Sequence, residues 1–151
     1  MTYQINEIFQ SIQGEGKFSG QLVTFIRLQG CNLRCAFCDT KKAWSKINNP
    51  MNHEEIVEEV NRLSNYCPYV VITGGEPLIW DLEPLIDELK NNYYLVHLET
   101  NGTIACKYWR KFDYITISPK ENQPINLRIQ NTDMFSCLLY TSDAADELDG
   151  V

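Results

Sequence analysis

The chain has 151 residues, 44% of them hydrophobic and 22% charged, with a formal net charge of −7. That length suits one domain with one sizeable core, and the acidity argues against a nucleic-acid surface, which is ordinarily basic. No apolar run is long enough to span a bilayer, and residues 1–7 lack the basic start and apolar stretch of a secretory signal, so a cytoplasmic protein is predicted.

In chain order, residues 22–28 are rich in β-branched and aromatic side chains and predict a strand. That strand runs directly into Gly30 and a cysteine-rich loop. Asn52 reads as a helix cap with Glu55 three residues on, and Ile56, Val57, Val60 and Leu63 then fall on one helical face. Residues 69–73 form a short buried strand ending in Gly74-Gly75-Glu76-Pro77. Leu82, Leu85, Ile86 and Leu89 repeat at helical spacing and predict a second helix, with Asp81, Glu83, Asp87 and Glu88 on its solvated side. Residues 93–99 and 114–118 predict two more strands, with a short weak helix over 104–112 between them. His97 reads as a satisfied sheet residue.

Strand and helix in alternation imply parallel β-α-β units and an α/β fold. In such folds ligands gather at the carboxyl ends of the strands. The glycine-rich and polar motifs follow Leu28, Thr73, Leu98 and Ile117, all at such ends. Residues 137–151 break the alternation. Eleven of them, 137–147, match one translated frame of a transposon-end sequencing adaptor. The expectation is a native domain over 1–136 and a non-native tail over 137–151; the alternative is a natural acidic tail.

Six cysteines are present, and three crowd into Cys31-Asn32-Leu33-Arg34-Cys35-Ala36-Phe37-Cys38. In a reducing compartment a tight group favours metal binding over disulfides. Cys67, Cys106 and Cys137 are scattered and read as small buried apolar groups. Three close thiolates can wrap one face of an iron–sulfur cubane, leaving one iron open. A zinc site remains the alternative, although it ordinarily takes four ligands with paired spacing, and three structural thiols are a further one.

The C-x3-C-x2-C spacing, with Phe37 before the last cysteine, resembles the radical S-adenosylmethionine superfamily. Gly74-Gly75-Glu76-Pro77 resembles that superfamily's glycine-rich motif. The resemblance implies a [4Fe–4S] cluster on Cys31, Cys35 and Cys38, whose open iron is chelated by S-adenosylmethionine and whose electron releases a 5′-deoxyadenosyl radical. It also implies that Glu76 accepts hydrogen bonds from the cofactor's ammonium.

Residues 7–16 (Glu7-Ile8-Phe9-Gln10-Ser11-Ile12-Gln13-Gly14-Glu15-Gly16), the run from Phe25 to Cys35, Cys38-Asp39-Thr40, Thr73 to Pro77, Glu99-Thr100-Asn101-Gly102-Thr103 and Ser118-Pro119-Lys120 narrow the resemblance. Together they resemble the 7-carboxy-7-deazaguanine synthase (QueE) family, whose fold is a (β/α) barrel. The resemblance implies a partial barrel here, incomplete at the C-terminal end, because family members run longer. It implies conversion of 6-carboxy-5,6,7,8-tetrahydropterin to 7-carboxy-7-deazaguanine with loss of ammonia, supplying queuosine and related 7-deazapurines.

By the same resemblance Ile12, Gln13, Gly14, Arg27 and Thr73 contact the pterin, with Arg27 on its carboxylate. Phe37, Asp39, Gly75, Glu76, Ser118, Pro119 and Lys120 contact S-adenosylmethionine, and Thr40 ligates Mg2+; Glu99 and Asn101 either hydrogen-bond the cofactor's ribose hydroxyls or form an Asn-Gly turn. No catalytic side chain is implied beyond the cluster and its cofactor. An electron donor such as flavodoxin and a homodimer are implied as partners, with no direct nucleic-acid or membrane contact. Two other readings stand beside this one: a glycyl-radical-enzyme activase of the same superfamily, and a non-catalytic metal-binding module.

Overall fold

The computed structural model describes residues 1–44 and 49–120, and the backbone of 135–137. The tail expected over 137–151 lies outside these residues except for Cys137, whose backbone alone is described. Described strands are β1 (Thr2–Ile12), β2 (Leu22–Leu28), β3 (Pro50–Asn52), β4 (Tyr69–Gly74), β5 (Leu95–Thr100), β6 (Tyr114–Ile117) and β7 (Phe135–Cys137). They form one sheet in the order β3-β1-β2-β4-β5-β6-β7. From β2 to β7 the neighbours are parallel, whereas β1 is antiparallel to both β2 and β3. Helix α1 (His53–Leu63) joins β3 to β4, and α2 (Glu83–Asn91) joins β4 to β5. This is the expected strand–helix alternation of an α/β fold, present as an open sheet across the described residues.

The helices form where the sequence predicts. Asn52 caps α1 with its side chain on the Glu55 N–H, and Glu55 returns a bond to the Asn52 N–H, so two otherwise unpaired donors are satisfied. Ile56, Val57 and Val60 from α1 and Leu85, Ile86 and Leu89 from α2 then pack against Ile26, Leu28, Ile72 and Leu98 of the sheet. Burying such side chains stabilises by about 1.5–3 kcal/mol each.

Three expectations are corrected. Strand β1 is absent from the sequence reading because a register shift between Ile5 and Glu7 breaks its alternation, as a bulge does. The weak helix over 104–112 is only a single 3-10 turn at Trp109–Lys111. That segment is short and rich in weak helix formers, and Tyr108 is anchored instead by donation from the Leu82 N–H to its hydroxyl. The strand expected from residue 93 starts at Leu95, because Tyr93 has φ 64° in the turn after α2.

Alternation along the strands separates two faces. The face covered by the helices is apolar throughout. On the other, Phe25, Val71, His97 and Tyr114 lie level with one another across β2, β4, β5 and β6. Two residues further toward the carboxyl ends the same face carries Arg27, Thr73 and Glu99. The β1–β2 connection folds over this face, closed by Gln13 N–H on Gln21 O and Gly20 N–H on Gln13 O. It places Phe18 4.6 Å from His97 and 5.0 Å from Tyr114, ring to ring. The inner face is thus dry at its amino end and polar at its carboxyl end.

Candidate active site

The polar end opens as a cleft lined by Arg27 and Thr73, by Asp39 and Thr40 after the cysteines, and by Glu15 from the β1–β2 loop. Gly74, Gly75, Glu99, Thr100, Asn101, Ser118 and Lys120 complete its wall. Nine of the sequence-predicted site residues therefore meet in one place, from five separate segments.

Arg27 crosses the cleft floor. Its Nε lies 2.8 Å from Glu7 Oε1, but the N–H is not aimed at that oxygen, so the contact is ionic rather than a directed hydrogen bond. The guanidinium sits 5.5 Å from the Phe9 ring centre, and Nη1 donates to Thr40 Oγ1 at 3.3 Å. The Thr40 hydroxyl in turn donates to Asp39 Oδ1 at 2.9 Å. A planar fork held from several sides suits a carboxylate ligand.

Gln13 is 4% exposed and bridges the Glu99 carboxylate and the Glu15 backbone. Its amide donates to Glu99 Oε1 at 2.8 Å and its carbonyl accepts from the Glu15 N–H at 3.0 Å. Desolvation within the cleft, followed by the charge of Glu99, raises the Glu15 carboxyl above its ordinary value, although the outer edge of Glu15 stays exposed. The sequence reading quoted Glu15 within its motif but assigned it no role; its position between Gly14 and Gly16 was the available signal. Lys120 Nζ donates to Ser118 Oγ at 2.8 Å on the facing wall, and Pro119 between them is half-buried. Ile12 stands apart, 56% exposed at the end of β1, and Gly14 is exposed beside it.

The cysteine loop follows β2. Cys31, Cys35 and Cys38 are free thiols, each half-buried. The Leu33 N–H donates to Cys31 Sγ at 3.4 Å, and the Cys38 N–H to Cys35 O. Burial raises the Cys31 thiol. Arg34 Nη1 grips the carbonyls of Cys31 and Leu33, each at 2.7 Å, with its guanidinium over Trp44. Phe37 projects from the loop, 58% exposed.

The β4 loop lies directly against this loop, and its two glycines make that possible. A Cβ on Gly74 would sit 2.4 Å from Leu28 O, and one on Gly75 would sit 2.3 Å from Gly30 O and 2.6 Å from the Cys31 Cβ. Glu76, for which the resemblance implies an ammonium-binding role, is held by several protein groups. Glu76 is fully buried, and its oxygens accept from Leu78 N–H (3.0 Å), the Thr100 hydroxyl (2.7 Å) and Asn101 N–H (2.7 Å). Burial raises its carboxyl, and those hydrogen bonds oppose the rise. Its carboxylate ties the β4 loop to the end of β5.

His97, Cys67 and Cys106 do not line the cleft. His97 is 3% exposed, and burial lowers its imidazole to about 4. Cys67 is buried and donates to Leu22 O at 2.9 Å; Cys106 is half-buried, its thiol raised by burial to about 11.

The donor set fits an iron–sulfur cluster: three free soft thiols on one loop, which runs on into the polar cleft at Asp39 and Thr40. Among the described residues no three His, Cys, Asp or Glu side chains are gathered to grip a single metal ion; a cubane takes its thiolates at separate irons. A parallel α/β sheet with this loop after its first parallel strand and a Gly-Gly-Glu-Pro turn after the next defines the radical S-adenosylmethionine class of protein. The family model for the Radical SAM superfamily matches residues 25–140, and the chain belongs to that superfamily. Membership implies a [4Fe–4S] cluster and S-adenosylmethionine.

Relatives are more particular. The chain is 45% identical over 121 residues to the 7-carboxy-7-deazaguanine synthase of Synechocystis, covering 80% of this chain and 56% of that one. It is 46% identical over 127 residues to the enzyme of the same name from Hyperthermus butylicus, covering 78% and 52%. The crystal structure of QueE from Escherichia coli superposes with a TM-score of 0.74 at 38% identity, covering 83% of this chain and 63% of that one. The chain thus spans between half and two thirds of the length of these relatives.

Proposed function

We propose that the protein is a 7-carboxy-7-deazaguanine synthase, contracting the ring of 6-carboxy-5,6,7,8-tetrahydropterin with loss of ammonia. The observation that carries this reading is the meeting around one cleft of Arg27, of Glu99 held by Gln13, and of Asp39 and Thr40, which directly follow the cysteines. The names of the relatives at 38–46% identity point the same way.

Within this reading Cys31, Cys35 and Cys38 hold the cluster, and Asp39, Gly75, Ser118, Pro119 and Lys120 surround S-adenosylmethionine with Phe37. Cluster and cofactor supply, when bound, a carbon radical able to abstract hydrogen. The protein's own groups bind and orient. Arg27 takes the pterin carboxylate, and Thr73 faces the same space from the neighbouring strand. Gln13, which holds Glu99 and Glu15 in place, reaches the pterin ring with Ile12 and Gly14 beside it, and the two carboxylates can accept hydrogen bonds from ring N–H groups. Thr40 and the adjacent Asp39 offer hard oxygens to Mg2+, which keeps few protein ligands. Asn101 and Glu99 are assigned to the ribose hydroxyls of S-adenosylmethionine, both lining the same cleft. A cytoplasmic setting, an electron donor such as flavodoxin and a homodimer complete the proposal. No helix among the described residues is long and apolar enough to cross a membrane.

The test is anaerobic reconstitution with iron and sulfide, followed by incubation with the carboxypterin, S-adenosylmethionine, Mg2+ and dithionite. Pterin-dependent formation of 5′-deoxyadenosine and 7-carboxy-7-deazaguanine is expected. Deoxyadenosine formed regardless of pterin, with no deazaguanine, would overturn the substrate assignment while leaving the superfamily intact.

A further inference from the structure

Cys31 lies inside a closed ring of contacts drawn from three loops. The Glu76 N–H donates to Gly30 O at 2.9 Å, and Glu76 Oε2 accepts from Asn101 N–H at 2.7 Å. Asn101 Nδ2 donates to Asn32 Oδ1 at 3.1 Å, and Gly30 and Asn32 are the two neighbours of Cys31 in sequence. Thr103 doubles the last link: its hydroxyl accepts from Asn32 Nδ2 at 2.8 Å and donates to Asn101 Oδ1 at 2.7 Å.

The ring fixes one peptide in particular. The N–H that reaches Cys31 Sγ at 3.4 Å belongs to Leu33, so it lies in the peptide plane that begins at Asn32. That plane turns with the Asn32 backbone, and the Asn32 side chain is latched to Asn101 and Thr103. An N–H donated to a ligating sulfur stabilises the more electron-rich state of the cluster and raises its reduction potential.

We infer that Asn32 and Asn101 are positioning residues that hold the Leu33 amide on the Cys31 sulfur and thereby set the reduction potential of the cluster. This rests on the cluster that the superfamily carries, and is independent of the pterin. Asn101 is 6% exposed and its backbone is committed to Glu76, so its side chain is a rigid post. Asn32 is exposed, and its side chain bonds to Asn101 and Thr103. Arg34 holds the Cys31 and Leu33 carbonyls from its own side, so the loop keeps a second tether when the latch is removed.

The test compares the full chain with Asn32→Ala, Asn101→Ala and the double variant, each reconstituted anaerobically. Midpoint potentials are read by redox titration followed by electron paramagnetic resonance, and Leu33 amide protection by hydrogen exchange. Asn32→Ala is expected to keep its iron and sulfide and shift the reduction equilibrium up to about tenfold toward the oxidised form, ~59 mV for one electron. Its Leu33 amide should exchange faster. Asn101→Ala should shift the same way, and the double variant no further than the larger single shift, because both break one link. An unchanged potential in Asn32→Ala, additive shifts, or failure of a folded Asn32→Ala chain to hold the cluster would each overturn the inference. A wild-type chain that takes up no cluster would overturn the cofactor reading and this inference together, and its colourless spectrum would tell the two failures apart.

Discussion

The Gln13 amide donates to Glu99 Oε1 at 2.8 Å across 86 positions of sequence, joining the β1–β2 loop to the end of β5. The other end of the same side chain holds the Glu15 N–H. One neutral residue is therefore a spacer between the Glu99 carboxylate and the backbone of the β1–β2 loop.

Gln13→Ala removes that spacer. A hydrogen bond to a charged group contributes about 1.5–3 kcal/mol, so kcat/KM for the carboxypterin should fall at least about tenfold. Gln13→Glu should fall further, because it turns a donor into a third carboxylate facing Glu99. Steady-state kinetics of deazaguanine formation decide this, and parity of Gln13→Glu with wild type would remove Gln13 from the site.

Arg27→Lys keeps the charge but loses the planar fork and the reach to Thr40. Loss of a bidentate carboxylate contact should raise KM for the carboxypterin by roughly 30- to 150-fold, corresponding to about 2–3 kcal/mol. The tetrahydropterin lacking the carboxylate is the control, since its binding should barely change between wild type and variant. Equal losses with both ligands would show that Arg27 supports the cleft without reading the carboxylate.

The sequence made the parallel core of this fold legible, because β2, β4 and β5 are short β-branched runs and α1 and α2 carry clean helical stripes. Strand β1 escaped because its bulge shifts the phase of alternation halfway along. At the site, Cys31, Cys35 and Cys38 announce themselves by spacing, whereas Arg27, Thr73 and Glu99 are legible only through the family resemblance, and register then brings them level on one face. For Glu76 the sequence alone leaves the surroundings open. Sequence shows a carboxylate next to glycines, but whether that carboxylate faces a ligand or the Thr100 hydroxyl depends on how the β5 loop folds back. The same holds for Asn32, whose role depends on Asn101, 69 positions away.

Gly75→Ala tests the packing of the β4 loop on the cysteine loop. Its added methyl would lie within 2.6 Å of both Gly30 O and the Cys31 Cβ, and neither neighbour is the free end of a flexible side chain. Overpacking of this kind costs about 1–3 kcal/mol, and here the strain falls on the residue next to a cluster ligand. Iron and sulfide after anaerobic reconstitution should drop well below the wild-type content while far-ultraviolet circular dichroism is retained. Full cluster content in Gly75→Ala would show that the two loops can part without loss.

Buried His97 predicts a pH signature unrelated to catalysis. Burial holds its folded pKa at about 4, below the ordinary 6.5, because a charged imidazole among Phe18, Tyr69 and Tyr114 would lack solvation. As pH falls below 6.5 the unfolded chain binds this proton and the folded chain does not, so stability declines until both are protonated near pH 4. The gap corresponds to at most roughly 3 kcal/mol. Glu15 and Glu76 work in the opposite direction, since their raised carboxyls take up protons in the folded state first. Comparison with His97→Phe cancels those carboxylates and isolates the imidazole. Urea unfolding between pH 7 and 4 should show wild type losing stability relative to His97→Phe as the pH drops. Parallel curves would mean that the imidazole is hydrated or paired in solution, and that the aromatic end of the inner face is wetter than Phe18, Tyr69 and Tyr114 make it.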